Sequence, residues 1–111
     1  MLHLVYTLQL TEHARTHNKE FWEWLHSRQS WFYDGLDMIQ APRWFMHVIG
    51  QNVHCLEHSV AFDDEAAWGA YRKAISQRSK DPEWEKRRIE QEKWWEIIDS
   101  RLMNDIQVES S

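Results

Sequence analysis

The sequence predicts an α+β domain built on a four-stranded antiparallel sheet, and three features indicate it. Large apolar side chains occupy every second position from residue 2 to residue 10, as in a half-buried strand. Residues 43–62 have the composition of two strands around a short polar turn. Amphipathic helical segments follow the first strand and this hairpin. The predicted order is β–α–β–β–α–β with an extra helix before the last strand, which is the ferredoxin-like plan.

The first strand is predicted at Leu2–Leu10, where Leu and Tyr fill the even-numbered positions. Thr11 and Asn18 are candidate N-caps for the helix that follows. That helix is predicted to stop at Asp34-Gly35, because glycine favours helix termination. Its apolar stripe comprises Phe21, Trp24, Leu25, Trp31 and Phe32.

The second and third strands are predicted between Arg43 and Phe62, around a turn at Gly50-Gln51-Asn52. This turn puts Phe45 opposite His58. The three histidines then predicted to share one face are His47, His54 and His58. The opposite face is also largely apolar, so the hairpin needs cover on both sides. A second copy packed through the sheet face would bury it, which predicts a homodimer.

Two helices and a strand are predicted to complete the chain. Asp63 or Asp64 caps the first of these helices, and Asp81-Pro82 begins the next with an N-cap and a first-turn proline. The latter helix is predicted to run to about Ser100. The weak alternation from Met103 to Glu109 predicts the last strand.

Composition narrows the possible functions. The 111 residues predict one domain over 1–111, and the net charge of −5 without a basic stripe argues against nucleic-acid binding. No apolar run is long enough to cross a bilayer, and the single Cys55 excludes an intramolecular disulfide, so we expect a cytoplasmic protein. Eight Trp residues favour an aromatic-walled pocket or interface, and a Trp-rich core is the alternative.

The hairpin histidines are candidate catalytic groups, because histidine titrates near neutral pH. His54 and His58 are four residues apart, about 13 Å along a strand, and Glu57 faces the other side, so no metal site is predicted. One catalytic or ligand-orienting histidine among His47, His54 and His58 is the functional interpretation. The alternative is histidines hydrogen-bonded at a dimer interface or beneath the helices.

Arg28 falls in the middle of the apolar stripe of the first helix. A guanidinium there must find an anion or extend to the surface. It is a candidate anchor for a substrate carboxylate or enolate, and the alternative is a salt bridge with Glu57 or an acid of the third helix. Arg88 and Gln91 occupy a similar inner line on the third helix. The predicted ligand-contacting aromatic residues are Tyr6, Trp24, Trp44 and Tyr71.

The segments Phe62-Asp63-Asp64-Glu65, Trp68-Gly69-Ala70-Tyr71 and Asp81-Pro82-Glu83-Trp84, set in the β–α–β–β–α–β order, resemble the dimeric α+β barrel superfamily, in particular its NIPSNAP-like or stress-responsive members. The resemblance covers most of the chain as architecture. It implies a homodimer with pockets between sheet and helices. Members include cofactor-free monooxygenases, isomerases, polyketide cyclases and haem-degrading enzymes.

These observations predict a dimeric barrel protein that binds an apolar or aromatic small molecule. If it is an enzyme, we expect cofactor-free proton transfer, isomerisation, cyclisation or monooxygenation. A non-catalytic binding or assembly protein is the alternative. A haem- or metal-binding protein that uses the hairpin histidines is a third interpretation.

Overall fold

The structure is a computed structural model that describes residues 1–51, 53–106 and 108. Its strands and helices, in chain order, are β1 (Leu2–Leu10), α1 (Glu12–Thr16), α2 (Asn18–Trp31), β2 (Gln40–Met46), β3 (Cys55–Phe62), α3 (Glu65–Arg78), α4 (Pro82–Glu90) and β4 (Trp95–Asn104). A single 3-10 turn, Gln91–Lys93, joins α4 to β4.

The sheet has the strand order β2-β3-β1-β4, with all neighbours antiparallel. The predicted α+β, ferredoxin-like fold is therefore confirmed. In the central strand β1, Tyr6 pairs with His58 of β3 on one side and with Ser100 of β4 on the other. The pairing of β1 with β4 shifts register between Thr7 and Leu8.

The even-numbered side chains of β1 and β3 point to the same side of the sheet. They are mostly apolar, and this face carries the apolar core. The buried residues form two clusters. The first comprises Leu8, Ala14, Phe21, Leu25, Leu56, Trp94 and Trp95. The second comprises Leu2, Leu4, Leu36, Val60, Phe62 and Tyr71. Both clusters join strand residues to residues outside the sheet, so this is the helix-covered face.

The predicted helix starts are confirmed at three positions. The Thr11 hydroxyl accepts from the amide of Ala14 at the start of α1, and the Asp64 carboxylate accepts from Ala67 at the start of α3. Asp81 caps α4, with Pro82 as its first residue. Each cap satisfies an amide that has no partner within its helix.

The predicted hairpin register is wrong by one residue. His58 pairs with Trp44 rather than with Phe45, and Phe45 pairs with Glu57. His54 lies before β3 with a φ of +73°, so it belongs to the turn and not to a strand face. The three histidines therefore do not share one face. Of the predicted turn, Asn52 lies outside the described residues.

The predicted long third helix and the predicted last strand are also wrong. Helix α4 ends at Glu90, and the segment from Trp95 to Asn104, predicted as helix up to Ser100, is strand β4. Spacing of apolar residues suggested a helix, but pairing with β1 determines the structure. Of the predicted strand Met103–Glu109, only its first two residues are in β4, and Gln107 and Glu109 lie outside the described residues.

The second sheet face is more polar than predicted. Glu57 lies there, 3.3 Å from an Nη of Arg101 and 4.0 Å from Nε2 of His47. Half-exposed Phe45 shares this face, and none of these residues belongs to either apolar cluster. Within the described part of the chain, no helix has the length and apolar character needed to cross a membrane.

Candidate functional site

A cavity of about 200 Å³ lies between the covered sheet face and the helices. It combines aromatic rings, aliphatic side chains and a few polar groups, which is the usual composition of a small-molecule site. Its volume is below the usual range of about 300–1,000 Å³, so it suits a ligand of one ring. The lining residues are Tyr6, Leu8, Arg28, Phe32, Tyr33, His58, Tyr71, Ile75, Arg88, Gln91, Trp95 and Ile97.

Arg28 brings a positive charge to this cavity from the last turn of α2. It is only 5% exposed, and its guanidinium carbon lies 3.8 Å from the centre of the Phe32 ring. Its Nε donates to Oε1 of Gln91 at 2.5 Å, whereas its buried Nη1 has no hydrogen-bond partner among the described residues. A buried cation with an unsatisfied donor is costly, so an anionic ligand would relieve this cost.

Tyr33 and His58 form a hydrogen-bonded pair beside Arg28. Nε2 of His58 lies 2.7 Å from the Tyr33 hydroxyl, and Nδ1 lies 2.9 Å from the carbonyl oxygen of Arg43. Since a carbonyl only accepts, Nδ1 carries the proton and Nε2 accepts from the Tyr33 hydroxyl. The imidazole also stacks on Trp44, with ring centroids 3.7 Å apart. His58 is thus fixed in one tautomer and one orientation.

Burial controls the ionisation of these groups. Desolvation, reinforced by the charge of Arg28, lowers the pKa of His58 to about 3, so the imidazole is neutral at neutral pH. Burial raises the pKa of Tyr33 to about 12 although Arg28 opposes the rise, and burial likewise raises the pKa of Tyr6. Burial also lowers the pKa of Arg28 from its ordinary value.

Four of the predicted site residues converge on this cavity: Arg28, His58, Tyr6 and Tyr71. Trp44 lies behind the cavity wall, stacked on His58. Trp24 does not line the cavity, because it packs against Trp94 and Trp95 in the first apolar cluster.

His47 and His54 lie outside the cavity. Both line a separate apolar groove near the tip of the hairpin, together with Met46 and Val48. The hairpin register and the turn conformation of His54 place them there, away from Arg28. They do not lie with His58 as the sequence had predicted.

The alternative of a salt bridge between Arg28 and Glu57 is wrong, because Glu57 lies on the other face of the sheet beside Arg101. Gln91 is the observed partner of Arg28. Among the described residues, no three His, Cys, Asp or Glu side chains come together as a potential metal site.

Tyr33 was not predicted as a site residue. It follows the end of α2, in a loop where no periodic pattern points to a face. Only its proximity to Arg28, five residues earlier in the chain, could have suggested it. Its role depends on β3 bringing His58 beneath it, which is a long-range contact.

Comparison with known proteins supports the fold. The chain matches no protein-family model, and no curated protein matches it significantly. It is similar to the crystal structure of protein Atu4242 from Agrobacterium tumefaciens, with a TM-score of 0.58 and 18% identity over 96% of this chain and 95% of that one. It is also similar to HapK from Hahella chejuensis, with a TM-score of 0.56 and 14% identity over 100% of this chain and 98% of that one. At these identities the likeness concerns the fold alone.

Proposed function

We propose that the protein binds a small aromatic molecule in the cavity between sheet and helices and catalyses a cofactor-free proton transfer on it. One observation carries the proposal: buried Arg28 lines the same cavity as the Tyr33–His58 pair. A cation next to an oriented hydroxyl–imidazole pair suits stabilisation of an enolate while a proton moves.

The proton path follows from the hydrogen bonds. The Tyr33 oxygen takes a proton from a carbon next to a substrate carbonyl, while the phenolic proton passes to Nε2 of His58. The electron pair of the broken C–H bond stays on the substrate as an enolate, next to the charge of Arg28. Return of a solvent-derived proton or deuteron to the same carbon, after the abstracted proton has exchanged with water, gives isotope exchange, and return to another carbon gives isomerisation.

The test uses acetophenone, whose methyl protons lie next to a carbonyl. In deuterated buffer we expect the protein to accelerate loss of the methyl signal in proton NMR. Tyr33→Phe should lower this rate by about 10²-fold or more, because general acid–base groups contribute about 10²–10⁴-fold. His54→Gln is the matched control outside the cavity and should keep the full rate. An equal rate in Tyr33→Phe and the unmodified protein would remove the catalytic proposal.

A non-catalytic binding protein is the second candidate. The lowered pKa of His58, about 3, favours it, because such an imidazole is a weak base. In that case acetophenone binds, as isothermal titration calorimetry would show, but its protons do not exchange faster than in buffer. Absence of both binding and exchange would contradict both candidates.

The second sheet face supports a proposal on assembly. We infer that the chain belongs to the dimeric α+β barrel superfamily, with NIPSNAP-like or stress-responsive proteins as the nearest kind, and forms a homodimer through this face. The ferredoxin-like strand order and the half-exposed Phe45 and Met103 on this face support the inference. The charged residues there, Glu57 and Arg101, would then form bonds across the interface or at its rim.

A further inference from the structure

We propose that the ligand of this cavity is an aromatic carboxylate or an equally flat organic anion. In the ligand-free protein, the Gln91 amide then occupies the position that the anionic group of this ligand takes. The inference rests on the proposed function and specifies the class of ligand. It also assigns Gln91 a role in ligand binding.

The first support is the incomplete satisfaction of Arg28. A guanidinium has five N–H donors in a fixed plane, and Gln91 offers one acceptor oxygen, which lies 2.5 Å from Nε. Nη1 remains without a partner among the described residues. A carboxylate brings two oxygens and a full negative charge, and it forms paired hydrogen bonds with guanidinium that are about twice as strong as neutral ones.

The second support is the position of Gln91 in the fold. It is the first residue of the 3-10 turn between α4 and β4, and its side chain is half-buried. Next to the cavity lies a surface depression of about 440 Å³. Four residues line both spaces: Arg88, Gln91, Trp95 and Ile97. Gln91 therefore stands between the cavity and the depression, and rotation of its side chain would free Arg28 and widen the connection.

The third support is the distribution of charge around Arg28. Arg88, the other cation of the cavity wall, donates from Nε and Nη2 to the carboxylate of Glu85. Two carboxylates, Glu92 and Glu96, line the outer depression and repel an anion there. These charges orient an aromatic acid with its carboxylate at Arg28, inside the cavity, and with its ring next to Phe32 and Trp95.

The test compares benzoate with benzamide, which has nearly the same shape but no charge. Isothermal titration calorimetry of the unmodified protein at pH 7 should give an affinity for benzoate about tenfold or more above that for benzamide, because hydrogen bonds between a carboxylate and guanidinium are about twice as strong as neutral ones. Gln91→Glu puts a permanent carboxylate on Arg28 and should weaken benzoate binding by about tenfold or more. Gln91→Ala removes the competitor and should bind benzoate at least as tightly as the unmodified protein.

Gln77→Glu is the matched control, because it makes the same charge change on the exposed surface of α3 and should leave both affinities unchanged. Equal affinities for benzoate and benzamide in the unmodified protein would overturn the anionic ligand and leave the proposed function standing. Unchanged benzoate binding in Gln91→Glu would overturn the role of Gln91. If neither probe bound although acetophenone did, this inference would fail and the proposed function would stand, whereas failure of all three compounds to bind would remove both.

Discussion

Arg28 lies at a position where an aliphatic side chain would pack at a lower cost in desolvation. It is 5% exposed and surrounded by the rings of Phe32, Tyr33, Trp44 and Trp95, and its buried Nη1 has no hydrogen-bond partner among the described residues. Such a residue lowers stability unless a ligand satisfies it. Its place in the core is therefore consistent with the proposed role in ligand binding.

Arg28→Met tests this opposition between stability and function. Methionine keeps the length of the side chain without its charge, so we expect the free energy of unfolding to stay equal or to rise by about 1–2 kcal/mol, while benzoate binding is lost. Urea unfolding followed by circular dichroism measures the first effect, and calorimetry measures the second.

Arg78 provides the matched control for this substitution. It donates from α3 to the carbonyl oxygens of Phe32 and Asp34, just beyond the end of α2. Arg78→Met should therefore lower the free energy of unfolding by about 1–3 kcal/mol. A larger loss in Arg28→Met than in Arg78→Met would contradict a ligand-binding role for Arg28.

His58 makes stability depend on pH. Its pKa is about 3 in the folded protein and 6.5 in the reference state, so the unfolded chain alone takes up a proton between these values. The stability linked to neutral His58 is fully present above pH 6.5 and is lost as the pH falls towards 3. The slope reaches about 1.4 kcal/mol per pH unit.

Comparing the unmodified protein with His58→Phe isolates this effect from the other acidic groups. We expect the unfolding free energy of the unmodified protein to fall relative to that of His58→Phe as the pH is lowered from 7 to 4, measured by urea unfolding. His54→Gln replaces a histidine at an exposed position and is the control. A plot of its unfolding free energy against pH should be parallel to that of the unmodified protein. Parallel curves for His58→Phe as well would mean that His58 is solvated and protonates normally.

Residues of the site were predictable where a single side chain contradicted its local pattern. Arg28 stood out as a charge on an apolar stripe, and Tyr6 as a ring on the covered face of β1. Tyr33 and the partner of Arg28 could not be predicted, because both depend on contacts between segments far apart in the chain. The histidine prediction failed for His47 because a hairpin shifted by one residue reverses its faces, and for His54 because it lies in the turn before β3.

At the scale of elements, local signals predicted the starts of helices well. Thr11, Asp64 and Asp81 each satisfy amides of their own helix, so adjacent residues are enough to identify them. Strand β4 could not be identified in this way. Its sequence from Trp95 to Asn104 has apolar residues at helical spacing, and only the unpaired edge of β1 makes it a strand.

Hydrogen exchange followed by NMR tests the assignment of β4. As an edge strand paired only with β1 in the described sheet, β4 should show slow and fast amides in alternation, because alternate amides point away from β1. Strand β1, with partners on both sides, serves as the internal control and should be protected throughout. Continuous protection from Trp95 to Ser100 would indicate the helix that the sequence alone suggested.

For the whole molecule, the ferredoxin-like topology leaves one sheet face outside both apolar clusters, and the proposed homodimer would use it. Phe45→Glu places a charge on that face, on a residue that is 48% exposed. Sedimentation velocity at micromolar concentration should show a dimer for the unmodified protein and a monomer for this variant, since a buried charge without a partner is costly.

Ile89→Glu is the control for the dimer test, because Ile89 is also 48% exposed but lies on α4. It should remain dimeric. A monomer for the unmodified protein, or dissociation by both variants alike, would contradict a dimer formed through the sheet.

The central claim is that the cavity bounded by Arg28, Tyr33 and His58 is a ligand-binding site. A crystal structure of the protein with acetophenone tests it most directly. The account predicts the phenyl ring beside Trp95, with the carbonyl oxygen within hydrogen-bonding distance of the Arg28 guanidinium and the methyl carbon next to the Tyr33 oxygen. A filled or collapsed cavity, with acetophenone bound elsewhere such as in the groove of His47 and His54, would contradict it.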